Sequence, residues 1–252
     1  MSFWQIIYSV LLILAYPFLI FGSLINQKLK ASRRGQTAIW PKLAEFKKNR
    51  QPGRKVIWLH AASAGEFEQL QPLIKRLSAG DYHLVQTVTS VTIFQKINDD
   101  PRFDCICFLP WDLPRRTQRF IRELKPHIFI NTRHDLWFNL LSACRLEKVP
   151  TVLINANLYE ASSRLRWWNR PFQKSLFSQI DHLFTANEAT AALIRQLYLG
   201  EIFVSGDTRL DQVWERAQEN DKLFLNDKIH QSGKLIIIYG SVVDSDLEIV
   251  TE

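Results

Sequence analysis

Glu66 is a carboxylate that follows a run of side chains too small to obstruct a substrate, Ala61-Ala62-Ser63-Ala64-Gly65. The surrounding stretch, KVIWLHAASAGEFE over Lys55–Glu68, reads as a buried strand to His60, a turn over Ala61–Gly65 and a helix opening on Glu66. In an open α/β sheet the crevice beyond the carboxyl ends of the strands is where ligands bind. An acid at that spot is placed to take a proton from a substrate. The plainer alternative is that Glu66 merely favours a helix N-terminus, an effect worth up to ~1 kcal/mol. This stretch alone leaves both readings open.

The elements that would position Glu66 follow from hydrophobic patterning. Short apolar runs alternate with helical patterns at intervals of roughly 20–25 residues, the rhythm of βα units. Strands are expected at Val56–His60, His83–Thr87, Cys105–Leu109, Ile128–Asn131, Thr151–Asn155, His182–Thr185 and Ile202–Ser205. Helices are expected near Glu66–Leu77, Val91–Ile97, Arg115–Leu124, Leu136–Leu146, Pro171–Ser178, Glu188–Leu197 and Arg209–Ala217. The first of these carries an apolar stripe of Phe67, Leu70, Ile74 and Leu77, with Pro72 expected to bend it. Strands apolar throughout, such as TVLIN, imply a sheet covered on both faces. The expected class is α/β, a doubly wound, mostly parallel, Rossmann-like sheet.

Residues 1–26 read as a membrane anchor: Phe3–Ile25 is 23 residues long without a charge, enough to cross a bilayer. Ten Lys or Arg against Glu45 alone follow between Asn26 and Lys55. Cations after the span put the remainder in the cytoplasm, against a membrane surface. The polar Gln5, Ser9 and Ser23 and the kink at Pro17 leave a monotopic, partly inserted helix open beside a single-pass one. The charge of +7 comes with no nucleic-acid-binding motif, so no nucleic-acid partner is expected. Cys105, Cys107 and Cys144 read as buried reduced thiols, and the scattered histidines give no metal site.

Six motifs occur in order after the apolar segment: IWLHAASAGE, LPWDLP, RHDLWFN, VPTVLINANL, VSGDTRLD and IIIYGS. This order resembles the Kdo (3-deoxy-D-manno-octulosonic acid) transferases over essentially the whole chain. The resemblance implies a two-domain GT-B fold, whose first, membrane-attached domain receives a lipid A precursor and whose second binds the donor CMP-Kdo, with no cofactor. It implies inverting transfer on the inner membrane, with Glu66 as the general base that deprotonates a sugar hydroxyl. Arg209 matches the position of a family lysine that stabilises the transition state. Arg133 stands where many members carry a glutamate; it is expected to bind an acceptor phosphate or to lock Asp135. Ser63, Gly65, Asp135 and Arg164 are the implied substrate contacts. The family's usual arginine after Asn-Ala is replaced by Asn157, with Arg164 and Arg166 as compensating cations. Trp111, Trp137, Trp167 and Trp168 are candidates for an acyl-chain groove, by virtue of apolar bodies with polar tips.

Residues 27–217 are expected to form the acceptor-binding domain, 218–233 a linker, and 234–252 the first strand and helix start of a second domain. A strand with one nascent helix cannot form a core, which favours the front half of a two-domain protein. The alternatives are a catalytically incomplete, lipid-binding half and another GT-B transferase with a lipid acceptor.

Overall fold

The protein is described here from a computed structural model, which covers residues 2–133 and 135–219. Two long helices, α1 (Phe3–Ile25) and α2 (Gln27–Asn49), lead into an alternation of strands and helices. That alternation runs β1 (Lys55–Ala61), α3 (Ala64–Ser78), β2 (Tyr82–Val88), α4 (Val91–Ile97), β3 (Cys105–Phe108) and α5 (Pro114–Leu124). It continues with β4 (Ile128–Thr132), α6 (Phe138–Leu146), β5 (Thr151–Ala156), α7 (Arg170–Phe177), β6 (His182–Thr185), α8 (Glu188–Ile194), β7 (Ile202–Val204) and α9 (Thr208–Glu219). The seven strands form one sheet in the order β3-β2-β1-β4-β5-β6-β7, and every pairing is parallel.

Alternation along β1 divides its side chains between two apolar layers. Val56 and Trp58 join the layer that also holds Phe120, Phe138 and Leu183. Ile57, Leu59 and Ala61 join the layer built with Phe67, Leu70 and Ile74 of α3. The first layer is anchored by Trp58 stacked on Phe129 with ring centroids 3.9 Å apart. Covering both faces is what a parallel sheet requires, and the doubly wound fold class is thereby observed. The strand order reverses direction between β1 and β4, making the carboxyl ends of those two strands the topological switch point.

Several boundaries differ from expectation for local reasons. The helix expected to open on Glu66 begins at Ala64, because Ser63 caps it and accepts from the Glu66 amide. Its helical hydrogen-bonded span continues through Pro72 to Ser78. Helix α6 starts at Phe138 rather than Leu136, since its capping oxygens come from afar. Asp112 Oδ2 and Oδ1 accept from the Asn139 and Leu140 amides at 3.0 and 2.8 Å. Helix α9 runs to Glu219, so the linker expected from Gln218 begins inside it, and most of that linker with the strand at 234–240 lies outside the described residues.

The basic stretch after the anchor, read only as a charged surface, is the helix α2. Its inward face carries Ile39, Leu43 and Phe46 into the core while lysines and arginines share the other faces. Gly35 lies directly under Phe108, whose ring is 2.4 Å from where a Cβ would sit. The missing side chain is what lets α2 approach β3 so closely.

Helix α1 is inverted relative to a helix of a water-soluble protein. Its polar residues Gln5, Ser9 and Ser23 are 7%, 4% and 2% exposed, whereas Phe3, Leu11, Leu14, Phe18, Phe21 and Ile25 face outward. The inward face is bonded to the globular body: Ser9 Oγ donates to Asn139 Oδ1 at 2.7 Å. Tyr8 and Trp4 pack on Phe172, and Tyr16 meets the Trp111 ring edge-on. At its start, Ser175 Oγ donates to Ser2 Oγ at 3.0 Å, and at its end the chain turns at Asn26 into α2. Both ends of this 23-residue helix therefore attach to the same body.

Candidate active site

The switch point gathers charge from both flanking strands. Strand β1 ends in His60-Ala61, and α3 begins three residues later, which brings the Glu66 carboxylate back over the strand end. Glu66 is 7% exposed, and its Oε2 accepts from the Ala62 amide at 2.7 Å. Burial raises its pKa above the ordinary glutamate value; Asp135 pushes the same way, and the Ala62 amide, His60 and the Ser63 contact pull it back. The helix N-terminus, expected to keep this acid readily ionised, is outweighed by desolvation. A raised pKa makes the ionised form a stronger base.

His60 is fully buried and is the hub that sequence reading left as the end of a strand. Its Nε2 lies 2.9 Å from Asp135 Oδ2 and its Nδ1 lies 2.9 Å from Thr87 Oγ1. Trp58 Nε1 donates to the same Thr87 oxygen at 2.8 Å. The Thr87 hydroxyl also reaches the Leu59 carbonyl at 3.4 Å, and the Asp135 carboxylate, an acceptor, calls for a ring proton on Nε2. Asn131 on β4 reinforces the arrangement by donating to the Asp135 carbonyl at 2.7 Å.

Arg133 closes β4 in a left-handed conformation, φ 64°, and its amide donates to the Ile154 carbonyl at 2.8 Å. This sharp exit turns the chain so that Asp135 doubles back toward His60. Asp135 Oδ2 pairs with His60. Arg164, on a single 3-10 turn at Ser163–Leu165, sits within electrostatic reach of Asp135. Burial lowers the Arg164 pKa, opposed by Asp135 and Tyr159.

The loop bearing Arg209 is tied to the same helix as Glu66. Thr208 Oγ1 donates to the Gln69 carbonyl at 2.6 Å and accepts from Asn155 Nδ2 at 2.7 Å. Asp207 Oδ1 accepts from Gln69 Nε2 at 3.1 Å and from the Arg209 amide at 2.8 Å. Gln212 bonds Glu68, so α9 is fastened along α3 within one turn of Glu66. Asn155 reaches this position because it adopts φ 51° at a register shift between β5 and β6. Arg209 itself is exposed in the first turn of α9.

The remaining expected contacts divide. Ser63 and Gly65 are exposed at the start of α3, and no atom lies within 4 Å of where a Gly65 Cβ would sit, leaving clear space in front of Glu66. Trp111 and Trp137 share the wall of one cavity. Trp167 and Trp168 are 84% and 59% exposed and do not line it, and Arg166 and Asn157 are exposed. All three cysteines are buried and free. No group of three or more His, Cys, Asp or Glu side chains among the described residues is arranged to hold a metal.

Comparison with known proteins gives this constellation a context. The family described as 3-deoxy-D-manno-octulosonic-acid transferase (kdotransferase) matches residues 34–212. Among curated relatives, the 3-deoxy-D-manno-octulosonic acid transferase of Haemophilus influenzae is 29% identical over 181 residues, covering 70% of this chain and 42% of that protein. The enzyme of the same name from Bordetella pertussis is 25% identical over 170 residues, covering 64% and 39% respectively. The chain thus spans less than half the length of these relatives. In fold it is similar to the solved structure of S. aureus MnaA with UDP, at TM-score 0.50 and 17% identity over 70% of this chain and 51% of that one.

Proposed function

The chain belongs to the 3-deoxy-D-manno-octulosonic-acid transferase family, and we propose that it serves the transfer of Kdo from CMP-Kdo to a lipid A precursor. The observation that carries this reading is the carboxylate of Glu66 at the switch point, buried enough to be a stronger base than an ordinary glutamate. Glu66 removes the proton of a sugar hydroxyl of the acceptor as that oxygen bonds to the anomeric carbon of Kdo. On the opposite side the bond from that carbon to the CMP phosphate oxygen breaks, which inverts the centre and leaves the electron pair on CMP. Arg209 offsets the charge gathering on the leaving phosphate. Asp135, fixed by His60, and Arg164 contact the substrate, with Ser63 and Gly65 forming the open approach to Glu66. Arg133, at the exit of β4, meets an acceptor phosphate as a charge-assisted partner.

Localisation follows from α1. Its outward apolar face calls for lipid, and its docking on the globular body favours an in-plane helix over a crossing one. The helix therefore lies in the plane of the inner membrane's cytoplasmic leaflet, with the basic α2 beside it drawn to anionic headgroups.

The test is direct. Membranes carrying the protein, incubated with CMP-Kdo and a tetra-acylated lipid A precursor, gain the mass of one or more Kdo units on the lipid. Absence of product from well-folded protein would refute the reading.

A further inference from the structure

We propose that the cavity between α1, α2 and the β3–α5 connection holds one acyl chain of the lipid acceptor, admitted from the leaflet on which α1 lies. This inference deepens the lipid-acceptor reading above and rests on it for the identity of the lipid. The cavity measures about 250 Å³, walled by Leu12 and Leu19 of α1, Phe108 at the end of β3, Leu109 and Trp111 of the connection, and Trp137. Its lining is mostly apolar, with Ser32, Gln36, Thr89 and Asp112 as the polar members, which suits hydrocarbon better than a sugar headgroup.

Gln36 and Asp112 in its lining are already engaged. Gln36 Nε2 donates to the Leu109 carbonyl at 2.8 Å and Gln36 Oε1 accepts from the Trp111 amide at 2.9 Å. Trp137 also lines it, and its indole Nε1 is buried without a hydrogen-bond partner. The ester or amide carbonyl of an acyl chain supplies the acceptor that this N–H lacks.

Two continuities select the occupant. Toward the membrane, the cavity shares Leu12 and Leu19 with the helix whose outer face is a continuous apolar surface. Toward the chemistry, its wall residue Thr89 donates through Oγ1 to the Ala62 carbonyl at 3.1 Å. The amide of that same Ala62 holds the Glu66 carboxylate. A hydrocarbon chain seated here would start in the leaflet and end beside the proposed base, the geometry required of a lipid whose sugar is to be glycosylated.

Two measurements test the assignment. First, the unaltered protein in membranes is irradiated with an acceptor lipid carrying a diazirine near the end of one acyl chain, and the adducts are mapped by mass spectrometry. Adducts on cavity-lining residues, within 108–113 or at Leu12 and Leu19, are expected; adducts confined to the outer face of α1 would overturn the cavity assignment. Second, Ser32→Phe and Leu12→Trp, which fill the cavity from α2 and α1, are assayed with the acylated acceptor and its deacylated, water-soluble counterpart. The expected result is a rise of about tenfold in KM for the acylated acceptor, equivalent to losing fewer than two buried methylenes, with unchanged kcat/KM for the deacylated one. Equal effects on both acceptors, or none, would overturn it. If unaltered protein transfers no sugar, the activity reading fails, while the adduct map still decides whether the cavity takes a chain.

Discussion

At the scale of single residues the account rests on how burial changes Glu66. Because its folded-state pKa is raised, the protonated form is favoured by the fold, so the associated stability is present at low pH and lost as pH rises through the raised value. A general base has the opposite requirement, since it must be ionised to work. The acidic limb of the kcat/KM–pH profile should therefore fall above the ordinary glutamate value of ~4.3. An acidic limb at or below that value would mean that some other group accepts the proton. The strand-turn-helix around Glu66 was legible because it is a local pattern within a dozen residues. The partners of that acid were not. His60 and Asp135 are 75 residues apart, and Thr208 meets Gln69 across 139. Such pairings are set by the sheet order, which periodicity does not contain. A polar residue closing an otherwise apolar strand was the one signal that His60 offered.

At the scale of elements, the seven strands were legible because each is an apolar run bounded by breakers. Helix α2 was not. Its dense lysine and arginine content hides a stripe at Ile39, Leu43 and Phe46 that becomes visible only when the sheet supplies a surface for it. Gly35 gives the clearest test of that packing. Glycine to alanine in a helix interior ordinarily stabilises by up to ~1 kcal/mol. Here a Cβ would meet the Phe108 ring at 2.4 Å, so the ring or the helix must shift. Gly35→Ala is expected to destabilise the domain by ~1–3 kcal/mol, the usual cost of overpacking, measured as a shift in the urea midpoint. Unchanged or increased stability would show that α2 is not held against β3 in this way. The tie between Asn139 and both Ser9 and Asp112 was equally invisible in sequence. It couples α1 to α6 directly through Ser9 and Asn139, whose side-chain amide donates to the Asp112 carbonyl; desolvation raises the pKa of the buried Asp112 carboxylate to about 6.

At the scale of the whole molecule, the apolar N-terminal segment was legible, and its polar residues left a crossing and an in-plane helix both open. Length and hydropathy alone fit a span, and the burial of Gln5, Ser9 and Ser23 against the body is what favours the proposed in-plane helix. The distinction can be measured with single cysteines in place of Ser2 and Asn26, since the native thiols are buried. Both are expected to react with a membrane-impermeant maleimide from the cytoplasmic side only, in inverted vesicles. Labelling of Ser2→Cys from the opposite side would establish a crossing and undo the docked arrangement of α1.

The most direct measurement is the single-turnover rate of Kdo transfer by membranes carrying Glu66→Gln against unaltered protein. Glutamine keeps an oxygen for the Ala62 amide, so folding and acceptor binding should persist at neutral pH. The rate should fall by roughly 10²–10⁴-fold, the usual contribution of a positioned base. A Glu66→Gln protein that transfers the sugar within threefold of the unaltered rate would contradict the account at its centre.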